Sequence, residues 1–167
     1  MYPAIIQTVL IRELGALRRN VELYPSDDSV WATPPGVSNS AGTLVLHLAG
    51  NIQHYIGVHL GGSGYVRDRP AEFARRNVPR AELIAEIDAA IAATRRGLGA
   101  ISQSTLSGRY PEQVGGRSLS TDDFLVHLVS HFGYHLGQVD YHRRLVTGDG
   151  RTANALPMSE LPELLTA

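Results

Sequence analysis

The 167-residue chain predicts an all-α protein, a four-helix bundle. Two observations carry that expectation. Four long segments repeat apolar residues at steps of three and four, the spacing that lines one face of a helix, and no segment shows a convincing strand alternation. The stretches between them are rich in Gly, Pro, Ser and Asp, the residues of turns and loops. Four such helices bury their stripes only against one another. At 43% hydrophobic residues the chain suits one domain with a sizeable core. The bundle is expected over residues 1–148, and 149–167 is expected to be a tail packing on the body or on a partner chain.

The first helix is expected from about Pro3 to Val21, where Ile6, Leu10, Leu14, Leu17 and Val21 form the stripe. The run YPSDDSVWATPPGVSN, residues 24–39, reads as a loop without regular structure, with Trp31 as an anchor against the bundle in preference to a wall of the pocket. Ser38, Asn39 and Ser40 offer N-caps for a second helix running to about Leu60. Leu44, His47, Asn51, His54 and Val58 share one stripe of it, with Leu48, Ile52 and Tyr55 beside. Gly50 and Gly57 are poor helix formers whose small size lets a neighbouring helix approach closely.

Residues 61–79 read as a long glycine-led loop bearing Arg67, Arg69, Arg75 and Arg76. It forms either a solvated surface or a grip for a substrate carboxylate or phosphate. A third helix is expected over about Pro79–Ile101, with a seam of Ile84, Ile87, Ile91, Thr94, Leu98 and Ile101. Residues 102–119 read as a loop with a short hairpin. The fourth helix spans Ser120–Gly148: Ser120 with Asp123 makes a capping-box-like start, and Gly148 after Arg143 and Arg144 makes the stop.

This last helix holds four of the seven histidines. His127, His131 and His135 climb one face in steps of four, and His142 follows about 20° out of line. Two histidines four apart can ligate one ion, and a third from a facing helix closes three corners of a tetrahedron. His131 and His135 supply the pair and His47 is the best third candidate. Three neutral imidazoles leave open positions for water or substrate, the arrangement of a catalytic site. Taken alone this spacing is a weak signal, since histidines so placed are more often half-exposed or hydrogen-bonded residues than ligands, and the concentration of six histidines on two helices strengthens it. His127 and His142 are expected to be structural or to support the ligands, His54 is ambiguous, and His59 is expected to be exposed.

Composition narrows the functions. A net charge of −1 with no block of like charge argues against nucleic-acid and membrane-surface binding. The chain has no cysteine, which excludes disulfides, thiolate ligands and a protein thiol nucleophile. All 15 basic residues are arginine, which excludes Schiff-base chemistry on lysine. The start, MYPAIIQTVLIREL, lacks the basic region of a signal peptide, and no apolar run is long enough to span a bilayer. A cytoplasmic location is expected.

The segment NSAGTLVLHLAGNIQHYI followed by RDRPAEF, together with HFGYHLGQ, resembles the DinB-like (YfiT-like) metalloprotein superfamily over nearly the whole chain. The resemblance implies a bundle of up-down-down-up topology, a homodimer, and a divalent ion, zinc or nickel, on three histidines. Its first ligand falls on His47 of HLAGN and the others on His131 and His135, while Gln138 matches the glutamine of the motif.

Three functions compete. The superfamily includes transferases using a low-molecular-weight thiol, and the absence of cysteine suits that, since no protein thiol competes for the ion. Arg67, Arg69 and Arg76 are candidates for receiving the charged groups of such a small-molecule substrate. A metal-dependent hydrolase needs a general base, and no Glu or Asp lies clearly on the histidine stripes; Asp140 is about 140° round the helix from His135. The third is a non-enzymatic metal-binding or stress-response protein.

Overall fold

Apolar residues at Ile6, Leu10, Leu14, Leu17 and Val21 all point inward from helix α1 (Tyr2–Glu22). This and the following elements come from a computed structural model describing residues 2–99, 101–154 and 157–161. The fold is all-α: no strand occurs among the described residues, and none of their helices is long and apolar enough to cross a membrane.

The segment read as structureless between the first two long helices contains one helical turn, α2 (Asp27–Val30). Ser26 and Ser29 cap it reciprocally, and Asp27 and Asp28 suit its positive end. Trp31 follows it, nearly buried, with its indole N–H donating to the Val78 carbonyl at 3.0 Å. Its ring fills the space a side chain at Gly42 would occupy, 2.6 Å from the ideal Cβ position.

Ser40 caps helix α3 (Ala41–Ile52) by accepting the Thr43 N–H. The helix does not continue regularly to Leu60. It widens into a π-helical segment, Gln53–Val58. The glycine-led loop likewise holds a short helix, α4 (Arg69–Ala74), started by the Asp68 carboxylate on the Ala71 N–H with Pro70 in its first turn.

Helix α5 (Arg80–Gly99) buries Leu83, Ile87, Ala90, Thr94, Gly97 and Leu98. The expected seam is therefore displaced, with Ile84 and Ile91 only half-buried at its edge. The cause is close approach at small residues. A Cβ at Gly97 would lie 2.6 Å from the Ile56 carbonyl, and one at Gly57 would lie 3.0 Å from Ala93. Contact at this range favours Ala and Gly over the larger isoleucines.

After the short helix α6 (Gln103–Ser107), the chain forms a small hairpin with isolated antiparallel bridges, Arg109 to Ser120 and Val114 to Arg117. Helix α7 (Thr121–Thr147) starts at Ser120, whose hydroxyl accepts the Asp123 N–H, and stops at Gly148 with φ 67°. Its core residues are Phe124, Leu125, Leu128, Phe132, Leu136 and Val139. α1 and α3 each pack on both α5 and α7, and α4 packs on α3. Residues 149–154 lie on the body: buried Arg143 donates to the Asp149 and Arg151 carbonyls, and Arg19 to those of Ala153 and Asn154.

Candidate metal centre

The packing of α3 on α7 brings His47 against His131 and His135. The His47 and His131 Nε2 atoms lie 3.3 Å apart. Each of the three residues offers a ring nitrogen, and these atoms all fall within 4.8 Å of one another. The rings meet edge to face, His47 to His131 at 5.3 Å, His47 to His135 at 5.5 Å and His131 to His135 at 4.7 Å between centroids.

Two neighbours decide which nitrogen of two rings carries the proton. The Glu72 carboxylate accepts from His47 Nδ1 at 2.9 Å, which leaves the Nε2 lone pair directed at the other rings. Gln138 Oε1 accepts from His135 Nδ1 at 2.6 Å, with the same result. Burial, then the neighbouring His135 and His47, push His131 down to about 4, so it too offers a lone pair at neutral pH. Three converging imidazoles, two of them with an orienting partner behind the ring, fit a divalent transition-metal ion.

Glu72 was invisible as a functional residue because its segment read as loop. It is buried, and Arg67 holds it with two hydrogen bonds, Nε to Oε1 at 2.7 Å and Nη2 to Oε2 at 3.0 Å. Burial opposes its charge, yet hydrogen bonds from His47 and Arg67 keep its carboxyl below the ordinary carboxylate range. Gly50 makes room for it: a Cβ there would lie 2.4 Å from Glu72 Oε1. The signal in the sequence was Asp68 with Pro70, a helix start set directly among the loop's arginines, between Arg67 and Arg69.

The three candidate arginines differ. Arg67 is occupied by Glu72 and lies 5.3 Å from the Tyr55 ring centre. Arg69, exposed, covers the Phe73 ring at 5.1 Å, and that ring lies 4.9 Å from His47. Arg76, also exposed, donates to the Phe73 and Arg75 carbonyls. On the far side of Gln138, a cleft of about 370 Å³ is lined by Val37, Leu44, Gln138, Tyr141, His142 and Leu145, and by none of the three triad histidines. Gln138 thus borders the cleft and bonds His135 at once.

The remaining histidines separate. His127 is exposed and stacks between Phe124 and His131. His142 is buried, its Nε2 donating to the Ala32 carbonyl at 2.8 Å and its Nδ1 accepting from the Tyr24 hydroxyl at 2.6 Å. Both its nitrogens are used, so it is a structural residue. His59, expected to be exposed, is half-buried and bonded with His54 to Glu112.

Residues 6–148 match the family model described as Mycothiol-S-transferase, a family of the DinB-like superfamily. No curated protein matches the chain.

Proposed function

The chain belongs to the mycothiol-S-transferase family, and on that premise we propose that it is a thiol S-transferase whose divalent ion, zinc or nickel, is held by His47, His131 and His135. The single observation that carries this reading is the set of three converging ring nitrogens, two of them with a hydrogen-bond acceptor behind the ring. An ion held by these three histidines would supply the positive charge that lowers the pKa of a thiol and favours its thiolate as nucleophile. The chain has no cysteine, so the sulfur nucleophile arrives as substrate. The family description names mycothiol, and we take that as the low-molecular-weight thiol.

The chain's own residues prepare the site. Glu72 and Gln138 hold protons on the outer nitrogens of His47 and His135, and Arg67 fixes Glu72. Arg67 therefore acts on the substrate through the ligand shell, whereas Arg69 and Arg76 stand exposed on the rim to receive its charged groups. The cleft beside Gln138, with Leu44, Tyr141 and Leu145, suits the less polar part of a substrate. The hydrolase reading is weaker because Glu72, the carboxylate at the triad among the described residues, already has both oxygens bonded and is no free general base.

Packing of α1 and α3 on both α5 and α7 supports a four-helix bundle of up-down-down-up topology over 1–148, with 149–167 as its tail. A cytoplasmic location goes with a reduced thiol pool. We also take the protein as a homodimer, with Leu161 at the tail; Leu164 and Leu165 lie outside the described residues. Light scattering at tens of micromolar should give twice the chain mass, and a monomer mass removes that claim.

The test of function is paired. Metal analysis and thiol-dependent consumption of a model electrophile are measured on the wild type and on His131→Ala. The variant should lose the triad's ion and the turnover together. Thiol-independent ester hydrolysis by the wild type would favour the hydrolase, and a bound ion without turnover on any thiol would favour a binding protein.

A further inference from the structure

His54 and His59 stand five residues apart, a spacing that on an α-helix leaves side chains about 140° apart and unable to share a ligand. The π-helical segment Gln53–Val58 closes its turns at five residues instead. The two rings therefore come together edge to face, 4.9 Å between centroids.

The same irregularity brings in a third residue. His59 N–H pairs with the His54 carbonyl, and Leu60 and Gly61 N–H both pair with that of Ile56, which passes over the Tyr55 carbonyl. That carbonyl accepts the Tyr110 hydroxyl at 2.6 Å. Tyr110 starts the hairpin that Val114 and Arg117 close around Gly115 and Gly116, at φ 58° and 75°, values a two-residue hairpin turn requires. Anchored this way, the hairpin holds Glu112 over the pair, its Oε2 2.8 Å from His54 Nε2 and 2.7 Å from His59 Nε2. The three ligand atoms lie within 4.8 Å of one another.

We propose that His54, His59 and Glu112 form a second metal site, distinct from the histidine triad, for a divalent transition-metal ion of the zinc or iron(II) class. Two imidazoles and one carboxylate are a donor set these ions accept, and the carboxylate offsets half of the ion's charge. Ligand atoms about 2.1 Å from an ion stand roughly 3.4 Å apart in a tetrahedron. Glu112, on an exposed hairpin and now 2.8 and 2.7 Å from the two nitrogens, reaches that spacing by withdrawing roughly 0.6–0.7 Å. Side-chain exposures of 23% for His54, 21% for His59 and 38% for Glu112 leave a route for the ion and open positions for water. His54 lies seven residues beyond His47, roughly 10 Å along the helix, and the two sites share no ligand. An ion here clamps the 109–120 hairpin to the π-helical turn.

The full-length protein is equilibrated with zinc and its bound metal counted. The wild type should hold two ions per chain, His131→Ala one, His59→Ala one, and the combined variant none. Glu112→Gln, a mild change on the hairpin, should weaken the second ion at least tenfold while the triad's ion stays. Zinc should raise the Tm of His131→Ala, and the combined variant should not respond. One ion in the wild type that survives His59→Ala overturns the proposal and leaves Glu112 as a hydrogen-bonded clasp. One ion in both the wild type and His131→Ala, lost in His59→Ala, overturns the triad instead and leaves this site standing.

Discussion

Glu72 accepts the Nδ1 proton of His47 at 2.9 Å, and Arg67 grips the same carboxylate through two nitrogens. The imidazole is thereby fixed in rotation and in tautomer by the fold itself. The cost of orienting this ligand is met by folding, which is how an outer carboxylate strengthens a metal site.

Glu72→Ala should accordingly weaken binding at the triad about 10–100-fold while leaving its stoichiometry intact at saturating metal. Calorimetric titration of zinc into the metal-free protein reads this directly. An unchanged affinity would show that His47 needs no such support.

Gly50→Ala should act through the same carboxylate, because the new Cβ would stand 2.4 Å from Glu72 Oε1 and 3.2 Å from the Tyr65 hydroxyl. In an exposed helix the change would stabilise by about 1 kcal/mol; here it should weaken metal binding. Combined with Glu72→Ala it should add little, since both remove one interaction. Fully additive losses in a double-mutant cycle would rule out the shared route.

His142 shares the histidine face of α7 and should behave oppositely to the ligands. His142→Ala strips partners from the Tyr24 hydroxyl and the Ala32 carbonyl inside the fold. It should cost about 2–3 kcal/mol of stability and leave the metal content unchanged. Loss of an ion in a well-folded His142→Ala protein would mean that this residue reaches the site.

Glu13 sets a pH dependence. Its buried side chain has Oε2 without a partner among the described residues, and Arg12 lies 3.9 Å from Oε1. Burial raises its carboxyl to about 7, against the lowering pull of Arg12. Between the ordinary carboxylate range and that value the folded protein binds more protons than the unfolded chain. This contribution to stability is complete below the unfolded pKa and is lost as pH rises through about 7. Glu13→Gln should therefore stabilise the protein at pH 8, by about 1–3 kcal/mol, and flatten the profile between pH 5 and 8. Equal gains at both ends of that range would refute the assignment.

The proposed binding of a thiol at the triad predicts an optical signature. With cobalt(II) as the metal, the correct thiol should produce a near-ultraviolet charge-transfer band that is absent in His131→Ala. Arg69→Ala should raise the apparent KM for the thiol more than it lowers kcat if this residue only grips the substrate.

The long helices and the triad were legible in the sequence because both rest on period. Apolar residues at steps of three and four name the buried faces of α1 and α7, and Ser120 and Gly148 mark the ends of α7 to the residue. The same period places His131 and His135 on one side and His47 on an inward stripe of the second helix, and the family resemblance points to the same three. What period cannot express came only from the tertiary structure. The seam of α5 moved to Ala90 and Gly97 because close backbone approach, which depends on the neighbouring helix, rewards small side chains. Glu72 reaches the site from a short helix whose residues carry no apolar repeat, and Arg67 from the loop just before it. His54 and His59 look unrelated at α-helical spacing, and only the π-helical turn, with Tyr110 bonded to its freed carbonyl, brings them to one carboxylate. These are contacts between segments far apart in the chain, and local periodicity holds no record of them.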